Sequence, residues 1–380
     1  MHIPSVAAAL ISTLIVVQAH PGHDINHEIE QRAKALGNNP RDISHCAAKL
    51  KARGHEERTI SRRSALLKAE REKRGLATAR DIDTILNARD AASVLATNHS
   101  SPVVYTPQTS TDIIFAGNQS CVLVPEVTEG PYYVSGEFIR SDVREVDHEQ
   151  GVDLILDLQV IDVSTCEPVP DIMIDLWYAN TTGIYSGVIA GGNGNSADAS
   201  NINTTHSRGL QPTDSDGVAQ FTTFYPGHYT GRTHHIHVAT HANGTILPNN
   251  TFAGSTVSHI GQLFFDQSLS TQVEATTPYS SNTQPLTTNA QDGIFAQAAA
   301  VGDPVVEYSL LSADVADGVF GWIAFGIDVG REESIQAAVV YGENGGVANP
   351  NGGGGPGSPG GPPSGFPTRS STGAPAATGV

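Results

Sequence analysis

Residues 152–177 read VDLILDLQVIDVSTCEPVPDIMIDLW, and the period of this stretch decides the fold class. Val152, Leu154, Leu156, Leu158 and Val160 occupy every second position, with Asp153, Asp157 and Gln159 between them. Alternation of that kind belongs to a half-buried strand. Glu167-Pro168-Val169-Pro170 then turns the chain, since proline fixes φ and lacks a ladder donor. Ile172, Ile174 and Leu176 resume the alternation against Asp171 and Asp175. Working outward, strand-length runs recur at 218–224, 235–241, 262–265, 307–311 and 319–329, punctuated by Gly, Pro, Asn and Asp. Strands at this spacing with few helical patterns predict an all-β, antiparallel β-sandwich across residues 115–345.

The flanks have other compositions. Residues 1–19 resemble a signal peptide, with an apolar stretch at 7–17 and cleavage expected near Ala19. Residues 20–90 read as an N-terminal helical arm or pro-region, with helical composition at 28–36, 44–53 and 61–76. Arg71-Glu72-Lys73-Arg74 has the dibasic form that secretory proteases cut, so this segment is either removed, loosely attached, or a solvated helix. Residues 91–114, rich in Ser and Thr, read as a linker. Residues 346–380 read as a disordered Gly/Pro-rich C-terminal tail.

The 380 residues carry a formal net charge of −18, and it is unevenly placed. Residues 1–90 hold 15 of the 21 Lys+Arg, and no lysine follows Lys73. The strongly acidic remainder repels phosphate backbones, which excludes nucleic acid as a partner of the main body. No apolar run reaches the roughly 18 residues that span a bilayer. With the signal, the sequons at Asn98, Asn118, Asn180, Asn203, Asn243 and Asn249 fit a secreted, extracellular glycoprotein. Of the three cysteines, Cys121 and Cys166 share the candidate domain and are expected to pair, leaving Cys46 over. A homodimer is left open. His20, His23 and His27 form a second histidine cluster, read as a soluble end or, less simply, a copper-binding amino terminus.

His235-Ile236-His237 is the first chemical signal. Positions i and i+2 of a strand share a face, so both imidazoles could reach one metal ion. In a chain with 15 histidines this spacing alone is weak. Tyr229 and Tyr185 each follow a turn, and phenolate oxygens with imidazole nitrogens suit a hard trivalent ion. Spacing by itself leaves both tyrosines equally readable as core aromatics.

A resemblance narrows this. Residues 208–237, RGLQPTDSDGVAQFTTFYPGHYTGRTHHIH, resemble the signature of intradiol ring-cleavage dioxygenases, in particular their extracellular fungal branch. Thr128-Glu129-Gly130-Pro131-Tyr132-Tyr133, Asp175-Leu176-Trp177 with Gly183-Ile184-Tyr185-Ser186, and Gly261-Gln262-Leu263-Phe264-Phe265 are similar to further parts of the same pattern. The resemblance spans about residues 121–330. It implies an Fe(III) held by Tyr185, Tyr229, His235 and His237, with Arg232 and Gln262 beside the substrate. It also implies Tyr229 as a proton acceptor in catalysis. The substrate class so implied is a small aromatic diol, cleaved with O2 between its two hydroxylated carbons to a muconate-type diacid. Two departures from the pattern are His234, which creates His-His-x-His, and Tyr178, where relatives often carry His. The rival reading is a non-catalytic sandwich module that binds polyphenol or carbohydrate.

Overall fold

The computed structural model describes residues 43–76, 91–100, 130–147, 149–254, 256–300 and 302–350. Eight strands make its two main sheets: β1 (Asp153–Asp162), β2 (Met173–Trp177), β3 (Arg208–Pro212), β4 (Val218–Phe224), β5 (His235–His241), β6 (His259–Phe264), β7 (Glu307–Leu310) and β8 (Val319–Ile327). One sheet has the order β6-β5-β2-β3 and is antiparallel throughout. The other has the order β7-β8-β1-β4. Leu154, Leu156, Leu158 and Val160 of β1 meet Ile174, Leu176, Ile236, Val238 and Leu263 of the first sheet in one buried cluster. That shared cluster makes the pair a sandwich, with the alternation of β1 setting the inward face.

Two expectations change here. The sandwich is not wholly antiparallel, because β8 runs parallel to β1, with Val319 opposite Leu154 and Ile327 opposite Asp162. Nor is β1 half-buried, since Ile155, Asp157, Gln159 and Ile161 on its outer side are as buried as the leucines. The two findings have one cause. Parallel pairs occur where both faces of a sheet are covered, and the N-terminal arm supplies the second cover.

In the arm, α1 (Ala47–Ala52) leads to α2 (His55–Lys73), which begins six residues before the run expected from composition. Leu67 packs with Ile155, Leu311, Phe320 and Trp322. Arg62 and Arg63 both donate to the buried Asp157 carboxylate, Arg63 Nε at 2.8 Å. Burial pushes that carboxyl up, but the two guanidinium groups outweigh it and hold it down at about 2. An unpaired buried carboxylate costs several kcal/mol, so the arm and Asp157 require each other. Arg71 donates to the carbonyls of Leu310 and Leu311, each at 3.1 Å, and Arg74 reaches Asp153 at 2.7 Å. The described arm is therefore neither loosely attached nor a solvated helix.

The disulfide also differs from the expectation. Cys166 is bonded to Cys46, not to Cys121, which lies outside the described residues. Docking of the arm buries Cys46 beside Ile161, Val163 and Cys166, a proximity that sequence separation concealed. The bridge closes 120 residues and clamps the arm to the turn after β1.

Residues 91–100, expected as linker, include the helix α3 (Ala91–Ala96), with Val94 buried against Phe264, Ile294 and Phe295. His99 is buried and hydrogen-bonds Asp266 at 2.6 Å and Asp303 at 2.9 Å through its two ring nitrogens. Burial would lower its pKa, but the two carboxylates raise it to about 10. Residues 345–348, at the start of the expected tail, form a strand paired with residues 339–342. Residues 351–380, the signal region and residues 28–36 lie outside the described residues. Among the described residues no helix is long and apolar enough to cross a membrane. Asn98, Asn203, Asn243 and Asn249 are exposed and Asn180 is half-buried, while Asn118 is not among the described residues.

Non-reducing peptide mapping should recover Cys46 linked to Cys166. Cys46→Ser should lower unfolding stability by about 2–4 kcal/mol. A Cys121–Cys166 peptide in the native protein would contradict the docking of the arm.

Candidate metal centre

The site grows from β5. His235 and His237 point to one face of that strand, opposite Phe264 and Gln262 of β6 in register. On its other side, Trp177 of β2 lies opposite His237, and the two rings stack at 5.0 Å with a 9° tilt. The chain leaves β2 through a turn in which Asn180 Oδ1 accepts from the backbone N–H groups of Thr182 and Ile184. Such Asx turns need a short polar side chain, and this one delivers Tyr185. The backbone of Tyr185 is then fixed by side chains of the irregular 186–206 segment. Its N–H donates to Asn193 Oδ1 at 2.8 Å, and its carbonyl accepts from Asn193 and Asn201. Tyr229 and Arg232 come from the tight turn that leads into β5, closed by the Arg232 N–H donating to the Tyr229 carbonyl.

These elements bring all four expected metal-ligating residues together. Tyr185 Oη lies 2.9 Å from His237 Nε2, which lies 3.1 Å from His235 Nε2, which lies 3.4 Å from Tyr229 Oη. Each of the four residues is 5 % exposed or less. His235 Nδ1 sits 2.6 Å from the Thr233 carbonyl and must donate to it, so in the neutral ring Nε2 carries the lone pair. Two imidazole nitrogens and two phenol oxygens thus converge on one buried point. Burial, and for Tyr185 the neighbouring Tyr229, pushes both phenols above their ordinary pKa; for Tyr229 the Arg232 charge works against this. A donor set of that kind is mutually repulsive unless protons or a cation lie among its members, and hard oxygens with imidazole fit a trivalent ion. The residues present therefore fit a mononuclear metal ion.

Arg232 and Gln262 are also in place. Arg232 is 1 % exposed and directs Nη1 at Tyr229 Oη (3.4 Å) and His235 Nε2 (3.3 Å). Its Nη2 donates to Gln262 Oε1 at 2.5 Å and its Nε to Asp292 Oδ2 at 2.9 Å. Of Arg140, Arg144, Arg208 and Arg232, only Arg232 reaches the donors. Arg208 instead ties Glu137, the Tyr132 carbonyl and the Ser186 carbonyl together. His234 points away, to Glu274 at 2.6 Å, and does not compete as a ligand in this cluster. Tyr178 turns into the main core, where its hydroxyl accepts from Thr223 and the Phe224 N–H.

Sequence reasoning missed Asp292, Asn193 and Asn201. Asp292 caps the helix α5 (Gly293–Ala299), accepting from the Ile294 and Phe295 N–H groups, while its second oxygen holds Arg232 and the Thr233 N–H. An acid three residues before Phe295 is a legible N-cap signal, but its second partner is 60 residues away. Gly130 stands in sequence only as part of a motif, and its place against His237 gives it a physical reason. A Cβ there would lie 2.1 Å from His237 Cε1, and its φ of +82° disfavours any side chain.

A buried Tyr2His2 cluster on a β-sandwich defines the class as a candidate mononuclear metalloprotein. A family model described as Dioxygenase matches residues 128–268. An intradiol ring-cleavage dioxygenase from Tetranychus urticae is 31% identical, covering 55% of this chain and 96% of that one, with a TM-score of 0.43. The dioxygenase domain of a dioxygenase carbohydrate-binding protein fusion from Streptomyces sp. SirexAA-E is 25% identical, covering 54% and 98%, TM-score 0.35. Catechol 1,2-dioxygenase from Pseudomonas arvilla C-1 is 21% identical, covering 54% and 62%, TM-score 0.34. None of the curated proteins matches the chain. With 31% identity across nearly all of a named member, the chain belongs to the intradiol ring-cleavage dioxygenase family.

Gly130→Ala should cost about 1–3 kcal/mol of stability through its left-handed backbone alone, with displacement of His237 in addition. Gly191→Ala, where nothing lies within 4 Å of the added carbon, is the control and should stay near wild type in denaturant unfolding. Equal stability of the two variants would contradict the packing of His237.

Proposed function

We propose that the protein is a secreted Fe(III)-dependent intradiol dioxygenase that cleaves catecholic aromatics with O2 to muconate-type diacids. The observation that carries this is the convergence of Tyr185, Tyr229, His235 and His237 on one buried point in a chain of this family. Bound there, Fe(III) would supply Lewis-acid activation of the diol and its ring toward O2.

The chain's own residues do the rest. Tyr185, anchored by Asn193 and Asn201, and His237, stacked on Trp177, form a rigid side of the site. Tyr229 sits on a turn, is approached by Arg232, and is the group placed to take a diol proton at Oη. Arg232 is oriented by Asp292 and Gln262, so its charge is fixed in place before reaction. Preorganised charge in a water-poor pocket stabilises developing negative charge without reorganisation. Because Asp292 already balances Arg232, and Arg140, Arg144, Arg208 and Arg331 are each paired with an acid, a carboxylate on the substrate has no spare arginine among these five. That favours neutral diols such as catechol or hydroxyquinol.

Secretion is supported by the apolar stretch at 7–17, the exposed sequons and the Cys46–Cys166 bridge, which persists in oxidising compartments. Family membership leaves a purely binding role without support.

Iron-loaded protein given catechol under 18O2 should yield a ring-opened diacid carrying both labelled atoms. Arg232→Gln should lower kcat by about 10²-fold or more with iron content retained. An unlabelled product, or full activity without Arg232, would refute the assignment.

A further inference from the structure

A second cluster of ligating side chains lies on the opposite side of β5. His228 belongs to the turn before that strand, His234 immediately precedes it, and Glu274 ends the helix α4 (Gln267–Glu274). One carboxylate oxygen, Glu274 Oε1, lies 2.7 Å from His228 Nδ1 and 2.6 Å from His234 Nε2. The three ligand atoms all fall within 4.8 Å of one another.

Each of these contacts needs a proton or a cation between nitrogen and oxygen. His228 Nε2 lies 3.0 Å from the Gln284 carbonyl and must donate to it. In the neutral ring Nδ1 is then a lone pair, and the Asn282 side-chain amide directs an N–H toward it at 3.5 Å. That lone pair would face a carboxylate oxygen at 2.7 Å, a contact that requires either a second proton on the ring or a cation between the two atoms. His234 is 1 % exposed and its Nδ1 has no hydrogen-bond partner. With its proton on Nε2 the ring donates to Glu274 and Nδ1 is an unsatisfied acceptor; with the proton on Nδ1, Nε2 is a lone pair aimed at the same point. Protons or a single cation can hold the three atoms together, and imidazole nitrogens and a carboxylate oxygen can all ligate a cation.

We propose that His228, His234 and Glu274 form a second metal site, for a divalent transition ion of the zinc type. Two histidines and a carboxylate are a common zinc set, with a fourth position left to water. The Glu274 side chain is 16 % exposed, which gives the ion a route in and the carboxylate room to move back. Tetrahedral bonds of about 2.0–2.1 Å set ligand atoms roughly 3.3 Å apart, so the Glu274 carboxylate would draw back by about 0.7 Å. His228 directly precedes Tyr229 and His234 directly precedes His235. An ion here would staple the Tyr229 turn to β5 and α4 from outside the first cluster, positioning one phenol and one imidazole without touching substrate.

The test uses the full chain. Iron-loaded protein is dialysed against Zn²⁺, desalted and assayed for both metals. Wild type should retain about one zinc per chain beyond its iron, and Glu274→Gln and His228→Gln should lose at least ten-fold of that zinc. Zinc-edge anomalous diffraction from zinc-soaked wild-type crystals should give a peak between His228 Nδ1 and His234 Nε2, which decides the matter even if a variant fails to fold. No retained zinc, unchanged zinc in Glu274→Gln, or a peak only among Tyr185, Tyr229, His235 and His237 would overturn the proposal. Because the readout is zinc at a separate position, it is independent of whether the first cluster cleaves catechols.

Discussion

Four side-chain donor atoms from three separate segments are held 2.9–3.4 Å apart in a neighbour-to-neighbour chain inside the protein. Lone pairs do not gather in a low-dielectric interior unaided; each needs a proton, a hydrogen bond or a cation. The surrounding architecture reads as the means of holding them. β5 sets two imidazoles on one face, Trp177 and Gly130 fix the plane of one ring, and Thr233 sets the tautomer of the other. Asn193 and Asn201 fix one phenol, while the Arg232 turn fixes the second. Asp292 then joins a helix cap to Arg232, the one arginine among the described residues that hydrogen-bonds within the cluster.

Such rigidity needs a firm support beneath it. The sheet behind the site contains a parallel pair buried on both faces, and the arm forms its outer cover. The arm is attached by apolar packing, by two arginines on Asp157, by Arg71 on two carbonyls, and by the Cys46–Cys166 bridge. Cutting after Arg74 would leave this segment tied to the sandwich through its disulfide. The dibasic run at 71–74 is thus partly spent on structure, with Arg71 buried and Arg74 paired to Asp153.

The period-two alternation of residues 152–160 was enough to read the sandwich, because an inward leucine row is a local property of a strand. The outer row was misleading: Asp157 and Gln159 look solvated in sequence, yet partners on a segment about 95 residues earlier bury them. The same non-local docking decided the disulfide, which proximity within the expected domain assigned to Cys121. His235-Ile236-His237 announced a shared face by its spacing, whereas Tyr185 and Tyr229 were legible only through resemblance, since loop-borne ligands have no period. Asp292 and the asparagines of the 186–206 segment were hidden for that reason too. Their signals are ordinary caps and turns, and their second partners lie elsewhere in the chain.

The proposed chemistry depends on both phenols ligating one iron, and the visible spectrum of the iron-loaded protein reports on that directly. The spectrum is recorded before and after anaerobic addition of catechol. A broad tyrosinate-to-iron band that moves to longer wavelength with catechol is the result this account predicts. A protein that contains iron and stays colourless through both steps would contradict it.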